Sequence, residues 1–400
     1  MPTTVSSSFQ RRYDLDWLRI GAIALLIVTH VNYVFVSWHW RVHSENGGLF
    51  GDLVFETLAP WRMALVFFIG GAATRFMLDK LDLGAFLQNR FLRLFVPFVF
   101  AMIVLIPPIN YIALGSAHQH SYLYYLTHDF IHAHKVYGVW FPDFLHAWFL
   151  IYVFCYAVAA GLAWRLAHKH FARAEQLAGQ MPVELAVLVA ATAFFVSSGL
   201  LEPVFGQSQA LIDDPTAHVR SITPFLLGLL LVRQAGFWTS LRAARRWLYP
   251  LAGILLSLSL GFVLLGDSRG IPHGLHKVLE AVDSLYGAVM LFAVLAFASS
   301  ALNHKGPGLS QSYLSDAIMP VYLLHNLILP VVAKVVLLAR YPLWIEYPLV
   351  LLLVAAISMA IYHVAVRPFD PVRFLFGMKL KGKTRTPSPS APSGTGHLAG

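Results

Sequence analysis

Asp14-Leu-Asp16-Trp-Leu-Arg19-Ile-Gly-Ala-Ile-Ala-Leu-Leu-Ile-Val-Thr-His30 is an apolar run of membrane-spanning length with an arginine near its start and a histidine in its middle. Arg19 and His30 are 11 residues apart. On an α-helix that spacing is three turns plus about 20°, so both side chains point the same way, about 16 Å apart along the axis. Polar groups on a lipid-length helix are costly and mark a functional stripe by default. The plainer alternative has Arg19 snorkelling to lipid headgroups and His30 bonding a neighbouring helix. Asp16 lies one turn before Arg19 and is placed to pair with it. An imidazole at the depth of His30 suits a base acting on a hydroxyl.

Working outward, the whole chain has the same apolar character. Of 400 residues, 58% are hydrophobic and 12% charged, half the charged fraction of an average soluble domain. The expected fold is all-α, a polytopic membrane bundle with about ten transmembrane helices. The spans read as 18–37, 53–77, 92–114, 146–166, 183–201, 219–237, 248–266, 278–301, 317–338 and 347–366, each near the length a bilayer core requires. With both termini cytoplasmic, the inner segments carry 20 Lys and Arg and the outer ones 6. This asymmetry predicts that the N- and C-termini are cytoplasmic. In this setting the net charge of +9 reads as positive inner loops and not as a nucleic-acid surface. No cleavable signal is expected, because the first apolar run is too long and no small-residue cleavage site follows. The single cysteine, Cys155, sits in an apolar span and reads as a small buried hydrophobe. Residues 1–380 form the expected transmembrane domain. The Pro-, Ser- and Gly-rich stretch in 381–400 is the expected disordered tail.

Further motifs repeat the pattern of polar groups at membrane depth. Arg90-Phe-Leu-Arg93 opens the third span on the predicted inner side. Two arginines three apart make a fork for phosphates, and a large cytoplasmic anion such as coenzyme A fits it; ordinary positive-inside decoration is the alternative. Arg62, mid-span in Pro60-Trp-Arg62-Met-Ala-Leu-Val-Phe-Phe-Ile-Gly70-Gly71, must face the bundle. It serves either an ion pair, with Glu56 the candidate partner, or a substrate. Gly70 and Gly71 allow close helix approach. His146-Ala-Trp148-Phe-Leu150 opens the fourth span, where Trp148 also fits an interfacial aromatic belt. Tyr322-Leu-Leu-His325-Asn326 puts another imidazole at membrane depth. The long outer loop 115–145 holds His118, His120, His128, His132 and His134 among tyrosines. The spacing of His128, His132 and His134 suits a metal on a helix, but no cysteine is near and Asp129 points off that face. A wet aromatic loop, whose rings can stack on a sugar, is the favoured reading and no metal is expected.

These motifs in this order resemble the bacterial acyltransferase-3 family of integral membrane proteins, over about residues 10–380. The resemblance rests on the Arg19–His30 element, the Arg90–Arg93 pair, Trp38-His-Trp-Arg-Val42, Arg62-Met63 before Phe67-Phe68-Ile-Gly-Gly71, and the Tyr322–His325 ending. Two positions depart from the family pattern: Ala147 stands where leucine is usual, and Asn326 where a second histidine often follows His325. The resemblance implies an O-acyltransferase that moves an acyl group, succinyl or acetyl, from cytoplasmic acyl-CoA to a carbohydrate hydroxyl on the periplasmic side or at the surface. It implies no bound cofactor; the partners are acyl-CoA, the glycan acceptor and the lipid bilayer. Transfer across a membrane needs a basic inner mouth, a path for the thioester arm, and a base reachable from both faces. Arg19, Arg90 and Arg93 supply the mouth. His30 is the base or the acylated nucleophile, with Asp16 and Arg19 supporting it. Arg62, His146, Trp148, Tyr322 and His325 position the acceptor or stabilise the oxyanion. A proton-coupled carrier or exporter is the competing class, since intramembrane Arg, His and Glu mark those too; no repeated pair of Gly/Pro-broken spans supports it.

Overall fold

The computed structural model describes residues 12–38, 40–114, 120–130, 135–136, 139–140, 144–265, 273–302 and 308–381. Long runs of aliphatic and aromatic residues satisfy their backbone groups internally, and the result is a bundle of helices. They are α1 (Tyr13–Asn32), α2 (Leu49–Leu78), α3 (Leu83–Ile112), α4 (Leu145–Leu166), α5 (His168–Gly179), α6 (Val183–Phe205), α7 (Pro215–Leu231), α8 (Ala235–Leu265), α9 (Gly274–Ala301), α10 (Leu309–Leu337) and α11 (Leu343–Val366). A two-residue antiparallel pairing joins Lys135–Val136 to Val139–Trp140.

Eight of these helices are long and apolar enough to cross a membrane: α2, α3, α4, α6, α8, α9, α10 and α11. The expected spans 18–37 and 219–237 fall on α1 and α7, which lie outside those eight. α1 carries Asp14, Asp16 and Arg19 in 20 residues, and α7 is 17 residues long. α1 also stops earlier than expected, at Asn32. There the chain turns, with the Ser44 N–H donating to the Val34 carbonyl at 2.8 Å. α8 starts earlier than expected, because the polar stretch before residue 248 continues the same helix. The expected tail beyond 381 lies outside the described residues, as do His118, His132 and His134.

α2 is the centre of the bundle and packs on α1, α4, α7, α8 and α9. Its closest crossing is with α7. A Cβ on Gly71 would strike the Phe225 carbonyl oxygen, and one on Gly228 would strike that of Phe68. The two small residues therefore let the backbones touch, as lipid-embedded helices require. α1 packs between α2 and α10, and this placement brings His30 to His325.

Two proline effects shape the arginine-bearing end. Pro97 has no N–H to offer the Arg93 carbonyl, and the turn Phe91–Phe95 just before it widens, with the Val96 N–H reaching back to the Phe91 carbonyl. Asp82 caps the start of α3 by accepting from the Ala85 N–H at 2.9 Å.

Candidate functional site

Three histidines from three helices converge in the interior. The ring centroids of His30 (α1) and His325 (α10) are 4.9 Å apart, and those of His325 and His146 (α4) 5.6 Å. His325 Nε2 lies 3.2 Å from His30 Nδ1. His325 is fully buried and His146 buried, while His30 is half-buried.

The partners of the rings assign their tautomers, because a carbonyl oxygen only accepts. His30 Nδ1 lies 2.9 Å from the Leu26 carbonyl oxygen, so this nitrogen carries the hydrogen. His325 Nδ1 lies 3.1 Å from the Val321 carbonyl and carries its hydrogen there, which leaves its Nε2 to accept from His30. His146 Nε2 donates to the Leu323 carbonyl at 3.2 Å, and its Nδ1 accepts from the Asn326 amide at 3.0 Å. The Tyr322 hydroxyl donates to the His146 carbonyl. His325 and His146 each keep one accepting nitrogen, the neutral tautomer. With its hydrogen on Nδ1, a neutral His30 carries its lone pair on Nε2, which makes no hydrogen bond among the described residues. A base needs this arrangement: one nitrogen locked by protein, the other open.

The charged groups form a second layer. Arg62 is buried, and neither its Nε nor its Nη1 has a partner among the described residues. It lies within electrostatic reach of His30. Glu56, its expected partner, accepts instead from the Ser259 hydroxyl at 2.9 Å. The physical reason is the six-residue spacing, which turns the two side chains about 120° apart around the helix. Arg19, Arg90 and Arg93 are close enough for their charges to act on one another, and Asp16 acts on Arg19. Asp316 of α10, which sequence reasoning missed, does the same for Arg93. Arg90 is buried, with its guanidinium 5.6 Å above the Phe86 ring, its Nη2 against Met77 Sδ, and its Nε without a partner.

The structure thus brings together His30, His146, His325 and Tyr322 at one level, and Asp16, Arg19, Arg90 and Arg93 at another. Trp148 packs against Phe67 and Tyr152, with centroids 5.7 and 5.1 Å away. A cavity of about 440 Å³ between α8 and α9 is lined by Tyr249, Leu256, Tyr286, Met290 and Phe297 among others, and none of the predicted site residues lines it. Among the described residues no group of three His, Cys, Asp or Glu side chains is placed to hold a metal.

A family model described as an acyltransferase domain, that of the acyltransferase-3 family, matches residues 12–363. No curated protein and no solved structure matches the chain.

Proposed function

Since the chain belongs to the acyltransferase-3 family and is a membrane acyltransferase, we propose that it carries an acyl group from a thioester donor at the arginine end of the bundle to a hydroxyl at the opposite end. The donor is acyl-CoA on the cytoplasmic side, and both termini lie there; the 20-to-6 bias of Lys and Arg supports this orientation. The acceptor is a glycan outside the inner membrane. The sequence motifs liken the chain to glucans biosynthesis protein C, which makes succinyl the first acyl group to test and acetyl the second.

Arg19, Arg90 and Arg93 hold the donor phosphates. An extended pantetheine arm is of the order of the about 16 Å of helix between Arg19 and His30. The acceptor hydroxyl attacks the thioester carbonyl while its proton passes to His30 Nε2. The tetrahedral oxyanion forms beside the buried, unpartnered Arg62 guanidinium. Its collapse breaks the C–S bond, and the proton moves from Nε2 to the leaving thiolate. The observation that carries this reading is the open Nε2 of His30, with its other nitrogen held by Leu26 and His325.

His30→Ala, reconstituted in proteoliposomes with radiolabelled acyl-CoA inside and oligosaccharide outside, loses label transfer by at least about a thousandfold while still inserting and folding. Retained transfer removes His30 from the chemistry. Unmodified substrate accumulating across the membrane favours a carrier.

A further inference from the structure

Beyond His30, toward the end of the bundle opposite the arginines, a continuous series of aromatic rings leads from the imidazole to the surface. The Tyr33 ring stands edge-on to His30 at 5.7 Å. Tyr33 stacks on Trp40 at 5.6 Å and 29°, and touches Phe55 at 5.9 Å. Phe55 in turn meets Trp38 at 5.0 Å, and Trp38 is 42% exposed. The turn bearing these rings is fixed on both sides. The Ser37 N–H donates to Asp52 Oδ1 at 2.9 Å, and Arg41 Nη1 donates to Asn110 Oδ1 at 2.8 Å.

We infer that Trp38, Trp40, Tyr33 and Phe55 form the binding platform along which the sugar rings of the acceptor pass to present a hydroxyl to His30. This rests on the acyl-transfer reading above. Three features carry it. The series ends on the reacting imidazole itself and not merely at the membrane surface. Tyr33, Trp38 and Trp40 sit on the hydrogen-bonded segment after α1 and Phe55 on α2, so their geometry is set before anything binds. A charged group on each flank, Asp52 and Arg41, gives the mouth the mixed character that suits a sugar: apolar C–H faces for the rings and a polar rim for the charges. An interfacial aromatic belt would need neither the fixed turn nor the contact with His30.

The test uses the full-length protein in lipid nanodiscs, with succinyl-CoA or acetyl-CoA as donor. A gluco-oligosaccharide and glycerol serve as alternative acceptors. Trp40→Ala and Trp38→Ala raise the KM for the oligosaccharide about tenfold each, the size of one lost stacking contact. They leave the donor KM and the rate of transfer to glycerol unchanged, and Trp40→Phe restores most of the loss. Equal oligosaccharide KM in wild type and both alanine variants overturns the platform, as does a parallel fall with glycerol. Transfer to glycerol but never to oligosaccharide also overturns it and leaves the acyl-transfer reading standing. Retention of a tritiated oligosaccharide by the inactive His30→Ala protein separates the remaining case. Retention that Trp40→Ala abolishes supports the platform even if no acceptor is ever acylated, and in that case only the transfer reading falls.

Discussion

Arg62 and Arg75 lie on the same helix and are both withdrawn from solvent, with 7% and 1% exposure. Their surroundings are opposite. Arg75 donates from Nε and Nη2 to both oxygens of Glu175, at 2.9 and 3.1 Å, and from Nη1 to Asp79 at 2.5 Å. The Trp164 ring lies 4.6 Å below its guanidinium. Arg62 makes no hydrogen bond or ion pair among the described residues. Removing a guanidinium from water is costly unless acceptors replace the water. For Arg75 the chain supplies them, and the product is a structural clamp holding the amphipathic helix α5 to the bundle. For Arg62 the described residues supply none, although Glu56 sits six residues away on the same helix. A buried guanidinium without acceptors among the described residues, within electrostatic reach of His30, is what the proposed oxyanion role requires. Arg90, with its orphaned Nε, belongs with Arg62 in this respect.

The sharpest way to break the contrast is to remove each charge while keeping the volume. Arg62→Met lowers the transfer rate about a hundredfold or more, the usual cost of losing an oxyanion donor. Thermal unfolding in detergent stays level or moves upward, because an uncompensated buried charge has been taken away. A large drop in melting temperature with normal turnover would make Arg62 structural and erase the distinction. Arg75→Met has the reverse signature. It strands Glu175, while Asp79 keeps Arg233 Nη1 at 3.1 Å, and destabilises the fold by about 3 kcal/mol, whereas the molecules that remain folded turn over normally. Loss of turnover in well-folded Arg75→Met protein would bring Arg75 into the chemistry.

How far the sequence foretold this depends on the range of the interaction. Helix positions were legible because hydrophobic run length is a local property. Each of the ten expected spans overlaps a helix, although only eight meet the length and hydropathy of a membrane crossing. The Arg19–His30 stripe was legible for the same reason, since helix periodicity fixes it within one element. The partnership of Arg62 was not. Sequence proximity suggested Glu56, but the helix turn points Glu56 toward Ser259 and leaves Arg62 alone. The His146–Asn326 bond joins residues 180 apart, and nothing in either segment signals that α4 and α10 meet there. Asn326 read only as a departure from a histidine pair, whereas in the fold its amide is the donor that fixes the tautomer of His146. One missed feature did leave a signal: Pro97, four residues after Arg93, cannot donate to the Arg93 carbonyl, and the wide turn beneath the arginine fork answers that deficit.

The smallest effect sharpens the comparison on the imidazole side. If the neutral tautomers matter, the identity of the hydrogen-bonding group at position 326 matters more than its bulk. Asn326 donates to His146 Nδ1, and so keeps the hydrogen of that ring on Nε2, toward Leu323. Asn326→Ala removes the donor at a cost of about 1 kcal/mol, which lowers the transfer rate severalfold. Asn326→Asp goes further: a carboxylate has no hydrogen to give and faces the Nδ1 lone pair, so the ring must take a proton there or turn over. The expected order of rates is Asn, then Ala, then Asp, with donor KM constant. The ¹⁵N shifts of the His146 ring should report Nδ1 protonated only in the Asp variant. A role in packing alone predicts that aspartate, the nearer match in shape, outperforms alanine; that order, with unchanged ring shifts, would detach His146 and Asn326 from the orientation of His325 and His30.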